Sequence, residues 1–436
     1  MNTILDIKET LDEDESIVNY QYYHFSPETG SQLNTPGNIT ITVQNSDSFF
    51  HPSASWLEFE GQVRATDETL YTGTSLISFV NFGILFLFDQ LKCLLSGSPI
   101  ETVFQPGIVA NILGLATFPD NFKQGLIETW CPDTSTEIAS TNKGFEERRN
   151  FILVSAPDPM GGFRISVPLK RLFGFHDDYG KVLYGFVQSL VLTRSSSDNN
   201  ALCHKPWATV DKRTGDEVKQ GKVHLEKIRW ILPRVTPSDV AKYNLLKQVK
   251  DQVILSCGFR MRQHIQIAVP ESNTFTWRLG VKAAPEQPRW GFLAFQTDKS
   301  NQQSKLNTVF DHCKLNSAHI TLNTERYPLN DFETDFGKNH FDHFYDSFIN
   351  FRKKFYGIDN LISSTNVGFI DYKTLFPIFC FDLRRQSERL KTGVTDITLE
   401  CRFGDTVPAK TIAYCVLISD RKLKFKSDGE KLSLLY

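Results

Sequence analysis

Two stretches of the chain alternate apolar and polar residues, and both occur twice. Ile39, Ile41 and Val43 alternate with Thr40, Thr42 and Gln44. After a link rich in Ser, Asn, Asp and Pro, Leu57, Phe59, Gly61 and Val63 alternate with Glu58, Glu60 and Gln62. In the second half, Ile265, Ile267 and Val269 alternate, and beyond Glu271-Ser272-Asn273 so do Phe275, Trp277, Leu279 and Val281. Strand side chains point to opposite faces in turn, so each stretch predicts a half-buried strand. A closing pattern recurs as well. Leu172-Phe173-Gly174-Phe175-His176-Asp177 precedes a strand at 187–192, and Leu375 to Asp382 precedes one in which Ile397, Leu399, Cys401 and Phe403 alternate. The recurrence predicts a duplicated all-β unit that pairs Ile41 with Ile267, Phe59 with Leu279 and Leu190 with Leu399.

The connecting stretches fill in the plan. Phe79 to Leu87 reads as a helix leading into a hairpin, with strands 90–95 and 100–104 around Ser96-Gly97-Ser98-Pro99. Pro106 opens a short apolar helix through Leu115. Residues 119–150 read as polar loop, and 151–154 and 163–167 as strands. Thr236-Pro237-Ser238-Asp239 is a helix start, with Thr236 as the expected cap. Val240, Tyr243, Leu246 and Val249 then recur at helical spacing, which predicts a packed linker helix. Phe341, Phe344, Phe348, Phe351 and Phe355 form a second helical stripe that Gly357 can end. The expected domains are an arm at 1–30, a first unit at 31–235, the linker helix at 236–252 and a second unit at 253–436. Residues 1–30, acidic at one end and tyrosine-bearing at the other, form an arm that packs on something else or a disordered tail. Residues 195–222 far exceed their counterpart, 404–411, and read as a loop that projects and can be trimmed at little cost. Its Ala201, Leu202, Cys203 and Trp207 either meet another subunit or fold back on their own domain.

Composition narrows the class. The chain has 436 residues, too many for one core. It has 35 Phe against 3 Met, which suits pleated sheets. The formal net charge of −2 gives no global pull toward nucleic acid or an anionic membrane. The apolar run 76–95 contains Asn81, Asp89, Gln90 and Lys92, so it reads as a buried segment and not as a membrane span. The eight cysteines are irregularly spaced without a CxxC pair, and the acidic start has no apolar signal core. Both point to a reducing cytosolic or nuclear folding compartment.

Candidate chemistry is sparse. The sequence has no phosphate-binding glycine loop, GxSxG elbow or HExxH. His340, His343 and Asp346 could line one helix face as metal ligands, but they also read as the polar flank of the phenylalanine stripe. His176 with Asp177 and Asp178 could be catalytic, but Asp382 takes the matching place in the repeat without a histidine, which favours a capping role. Arg148-Arg149 and Arg352-Lys353-Lys354 read as solvated faces, or as short nucleic-acid contacts. Trp56 and Trp277 lie on the matched strands, where core packing is expected.

Several local phrases carry a family resemblance. NFGILFLFDQLKCLLSGSPIE at 81–101 resembles the part of viral double jelly-roll major capsid proteins where an apolar helix leads through a strand to a small-residue turn. PRVTPSDVAKYNLLKQV, GFRMRQHIQIAVPESNTFTWRLGVK and the terminal VLISDRKLKFKSDGEKLSLLY are similar to major capsid proteins of the polinton (Maverick) and adintovirus type. The resemblance implies two tandem eight-stranded jelly-roll sandwiches with short helical excursions. It implies a homotrimer of pseudo-sixfold shape that tiles an icosahedral shell around double-stranded DNA. The partners it implies are neighbouring capsomers, a penton protein and other minor capsid proteins. The location it implies is the virion, assembled in the host cytoplasm or nucleus. It brings no catalytic residue, cofactor or metal. The acidic start departs from the basic arms of capsid proteins that touch the genome, which leaves direct nucleic-acid contact open. The alternative from another class is a receptor- or carbohydrate-binding β-sandwich of the spike kind.

Overall fold

The computed structural model describes residues 16–44, 47–119, 122, 125–154, 160–205, 220–252, 254–283, 286–358, 367–427 and 432–435. Eight strands build the first half: β1 (Ile17–Phe25), β2 (Gly37–Val43), β3 (Trp56–Ala65), β4 (Phe88–Leu95), β5 (Ser98–Phe104), β6 (Gly162–Pro168), β7 (Gln188–Arg194) and β8 (Gly221–Pro237). They pair antiparallel into two sheets, β1-β8-β3-β6 and β2-β7-β4-β5. The second half repeats the plan with β9 (Leu255–Ala268), β10 (Thr274–Ala283), β11 (Pro288–Thr297), β12 (Leu315–Leu322), β13 (Glu325–Tyr327), β14 (Phe379–Asp382), β15 (Val394–Phe403) and β16 (Thr411–Ser427). Its sheets run β9-β16-β11-β14 and β10-β15-β12-β13, also antiparallel. Adding eight to each strand number of the first half reproduces the second, and each half is a jelly roll of two facing sheets. Phe49–Phe50 and Leu432–Leu435 extend the β8 and β16 sheets.

The duplication is therefore present, but its expected register is one strand out. Ile41 lies on β2 and Ile267 on β9, while Phe59 lies on β3 and Leu279 on β10, so neither pair is equivalent. Leu190 on β7 and Leu399 on β15 are equivalent. The strand that shifts the register is β1, which falls within the expected arm at 1–30 and instead pairs along β8 from Ile17↔Pro237 to Phe25↔Trp230. It is an edge strand with nearly every side chain exposed, so burial imposes no alternation on it. In β9 the inward side chains are Cys257, Phe259 and Met261, and Ile267 is exposed. In β10 a bulge between Arg278 and Gly280 turns the strand, so Trp277 and Leu279 point into the core and Val281 points out.

Among the helices between the strands are α1 (Pro106–Thr117), α2 (Lys143–Leu153), α3 (Gly174–Asp178), α4 (Asp239–Lys250), α5 (Asp342–Ile349) and α6 (Phe351–Tyr356). The hairpin before α1 turns at Ser96 (φ 46°) and Gly97 (φ 82°), both left-handed as a tight hairpin requires. The apolar run 76–95 forms a short strand, Ile77–Phe79, then a single 3-10 turn, Gly83–Leu87, and then β4. Its buried Asn81 donates to Asn111 Oδ1 on α1 at 2.8 Å. No helix among the described residues is long and apolar enough to cross a membrane.

Helix α2 takes the place of the last part of the loop expected at 119–150 and of the strand expected at 151–154. Its N-cap Asn142 accepts from Phe145 N, and Phe145, Arg148 and Ile152 face the core. The phenylalanine stripe is buried as expected at Phe341, Phe344, Phe348 and Phe351, but it is split into α5 and α6 at Asn350. Gly357 ends α6 at φ 68°. Linker helix α4 differs most from expectation. Ser238 and not Thr236 is its cap, and none of its residues is buried.

Trp277→Ala removes a 5%-exposed indole next to Phe275 and leaves a cavity. The expected loss is about 3–5 kcal/mol in the urea-derived unfolding free energy; an unchanged midpoint would show the strand register to be wrong.

Candidate functional site

The residues that set the shape of the molecule lie where the two jelly rolls meet. Glu101 on β5 is 1% exposed. Its carboxylate accepts from Gly174 N (3.1 Å) and Phe175 N (2.9 Å) of α3, and from Arg262 N (2.9 Å) of β9. One side chain of the first unit thus binds the start of its own helix and a strand of the second. Burial pushes the Glu101 carboxyl above its usual range, opposed by these N–H groups and the Arg262 charge. Arg262 donates to Asp177 Oδ2 (2.9 Å) and to the carbonyls of Lys170 and Arg171. Arg260 N donates to Asp178 Oδ2 (2.7 Å), and its guanidinium bonds the same carboxylate and lies 3.6 Å from the centre of the Phe355 ring. Strand β9 therefore faces two ways, with apolar residues in its own core and Arg260 and Arg262 toward the first unit.

Gly174 sits at the tightest point. A Cβ there would lie 1.8 Å from Arg260 O, so only glycine lets α3 approach β9. His176 lies beside Phe173 and Phe175, 1% exposed, with Nδ1 unpartnered. Burial, helped by Arg262, holds its imidazole down at about 3. His176 is thus enclosed, Asp177 and Asp178 are engaged by Arg262 and Arg260, and the triplet is not the equivalent of Asp382. It follows strand β6 as a helix, whereas Asp382 ends strand β14 and binds Arg384.

A second, polar contact joins the same units. His204 N donates to Gln303 O (2.7 Å), and the Gln303 side chain bonds both Gly221 N and Gly221 O. Asn301 N donates to Asn200 Oδ1 (2.6 Å) and Asn307 Nδ2 to Asn200 O (2.7 Å). For its described ends, 195–205 and 220–222, this corrects the reading of a projecting, dispensable loop; residues 206–219 lie outside the described residues. Ala201, Leu202 and Cys203 are fully buried, and Leu202–His204 pairs with Ile77–Phe79. Trp207 lies outside the described residues.

The other candidates separate. The His343 ring stacks on Phe332, His340 shares backbone bonds with Asp335, and Asp346 accepts from Asn350. No metal-competent group of three His, Cys, Asp or Glu exists among the described residues. Arg148 is buried on Asp133 (2.7 Å), and Asp133 also accepts from Thr308 of the second unit. Arg149 pairs with Glu146 and the carbonyl of Ser75. Neither arginine is the solvated or nucleic-acid-facing residue that its run suggested. Sequence reasoning passed over Glu101, Arg262, Gln303 and Asn200, because burial against a second domain leaves no periodicity.

The seam predicts a pH response. An unfolded histidine takes up its proton near pH 6.5, whereas folded His176 does so near 3, and His264 and His204 near 4. Stability is full above about pH 6.5 and falls as pH drops toward these folded values, because only the unfolded chain gains protons there. Glu101 acts in the opposite sense, since its raised folded value favours the fold at low pH. His51 and His312 are lowered in the same sense and Glu128 is raised by burial like Glu101, so with five histidines against two carboxyls the urea midpoint is expected to fall between about pH 6.5 and 4. His176→Gln should flatten that slope, and an unaltered slope would contradict the assignment.

The comparisons with known proteins agree with this geometry. No curated protein matches the chain in sequence. Among solved structures, the chain is similar to the PBCV-1 virus capsid (11% identity, TM-score 0.55, covering 98% of this chain and 99% of that one). It is also similar to the Sputnik virophage structure (11%, 0.57, 99% and 91%) and to mavirus major capsid protein (10%, 0.57, 100% and 93%). At these identities the likeness is one of fold. The model of the double jelly roll-like domain family matches residues 133–423, more than half of the chain. With the two copies of one strand order and the seam between them, this places the chain in the double jelly roll-like domain family.

Proposed function

We propose that the chain is a major capsid protein, of the polinton type that its sequence resembles, and that it acts by assembly and not by catalysis. Three copies form a trimer, and trimers tile an icosahedral shell around double-stranded DNA. The observation that carries this reading is the pair of jelly rolls of identical strand order, locked together by the Glu101 seam. A rigid block of two like units gives three copies six similar outer faces, and such faces can meet six neighbours in a sheet of capsomers. The near-neutral charge lets blocks pack without strong mutual repulsion. The division into domains follows the same reading, with α4 as the link and β1 counted into the first jelly roll. The partners are other copies of the chain, neighbouring capsomers, and penton and minor capsid proteins. The working location is the virion, assembled inside a host cell.

Light scattering on the purified chain is expected to give three times the 49.8 kDa chain mass at low micromolar concentration. Expression with a penton partner is expected to give closed particles by electron microscopy. A stable monomer that never assembles would overturn the proposal.

A further inference from the structure

Helix α4 is twelve residues long and has no buried residue. Helices of that length are marginal in water without tertiary packing. Val240, Tyr243, Lys247 and Lys250 follow one another at intervals of three and four, so they share one outward face. Val240 is 72% and Tyr243 68% exposed, and Lys247 and Lys250 are also exposed. Lys242, Lys247 and Lys250 make no ion pair among the described residues. The face is thus apolar at its start and cationic at its end. A matching occupant carries apolar side chains and carboxylates.

The sequence before β1 has that chemistry. Residues 1–15 lie outside the described residues, and they contain Ile4, Leu5, Ile7 and Leu11. They also contain Asp6, Glu9, Asp12, Glu13, Asp14 and Glu15, against the single cation Lys8. Their point of attachment is fixed. Ser238 N, at the cap of α4, donates to Ser16 O at 2.8 Å, and Ile17 pairs with Pro237. The segment therefore leaves from the first turn of the helix it would cover. The helix is about 18 Å long, well within the reach of fifteen residues. Read back from residue 15, the sequence offers the carboxylates of Asp12 to Glu15, then Leu11, then Glu9 and Asp6, an order that complements the positive end of the α4 dipole, Val240 and Tyr243, and Lys247 and Lys250 in turn. A tether this short makes docking effectively intramolecular.

We propose that residues 1–15 dock in cis on the Val240, Tyr243, Lys247 and Lys250 face of α4 as an acidic, apolar cover. The inference does not rest on the capsid reading.

Hydrogen exchange on the full chain and on a chain lacking residues 1–15 tests it. Removal is expected to speed exchange in α4 about tenfold or more, while β3 and β8 keep their protection and report an intact fold. In the full chain, Val240→Asp with Tyr243→Asp is expected to make residues 1–15 several-fold more sensitive to a Glu-specific protease; this reading stands even if the shortened chain does not fold. Equal α4 exchange with and without the segment would overturn the proposal, as would unchanged cleavage in the double variant. Loss of α4 protection on dilution would also overturn it, because a neighbouring copy would then supply the cover. So would new α4 protection in the full chain on adding duplex DNA, because the face would then be open to phosphate.

Discussion

A buried carboxylate cannot be left without partners, and Glu101 finds its partners only where two domains meet. Two of its three N–H donors belong to α3 and the third to Arg262 of β9. Separating the units would break the bond from Arg262 N to Glu101 and the Arg262–Asp177 ion pair, in which both side chains are largely buried. Removing one partner of such a buried pair costs about 3–5 kcal/mol, far more than an exposed ion pair contributes. Directional bonds also fix angle as well as distance, which apolar contact alone does not. Gly174, whose Cβ would overlap Arg260 O, sets the closest approach, and Asp177 and Asp178 hold the arginines on either side.

The consequence is a block with internal pseudo-symmetry and little freedom at its centre. The linker helix does not produce that rigidity, since α4 stands free of both cores. The seam does, together with the Asn200, Gln303 and Gly221 contact. The proposed role as a shell subunit requires this property, because each neighbour relation in a lattice must recur with the same geometry. The repeated strand order supplies similar faces and the seam holds them at constant angles.

Much of the fold was legible where one physical rule dominated. Alternation located β2, β10 and β15, because each has one wet face and one dry one, and β3, whose polar face is instead covered, with Glu58 buried under Arg164 and Arg229. Ser96-Gly97 marked its hairpin because both residues must take positive φ. The phenylalanine stripe and Gly357 marked α5 and α6. The failures have causes of their own. Edge strand β1 shows no buried alternation, so the repeat was aligned one strand late. A buried Arg148 on Asp133 hid the inward face of α2 behind a charged sequence. A bulge at Leu279, between Arg278 and Gly280, turned Val281 outward. The seam was the least legible part. Glu101 reads as a surface residue of a hairpin until a second domain covers it, and no local pattern encodes that cover.

The central claim is that the two jelly rolls behave as one body through the Glu101 seam. Differential scanning calorimetry tests this most directly. The account predicts a single transition for the whole chain, with calorimetric and van't Hoff enthalpies equal, and two separable transitions in Glu101→Ala. Two independent transitions in the unaltered chain would contradict it.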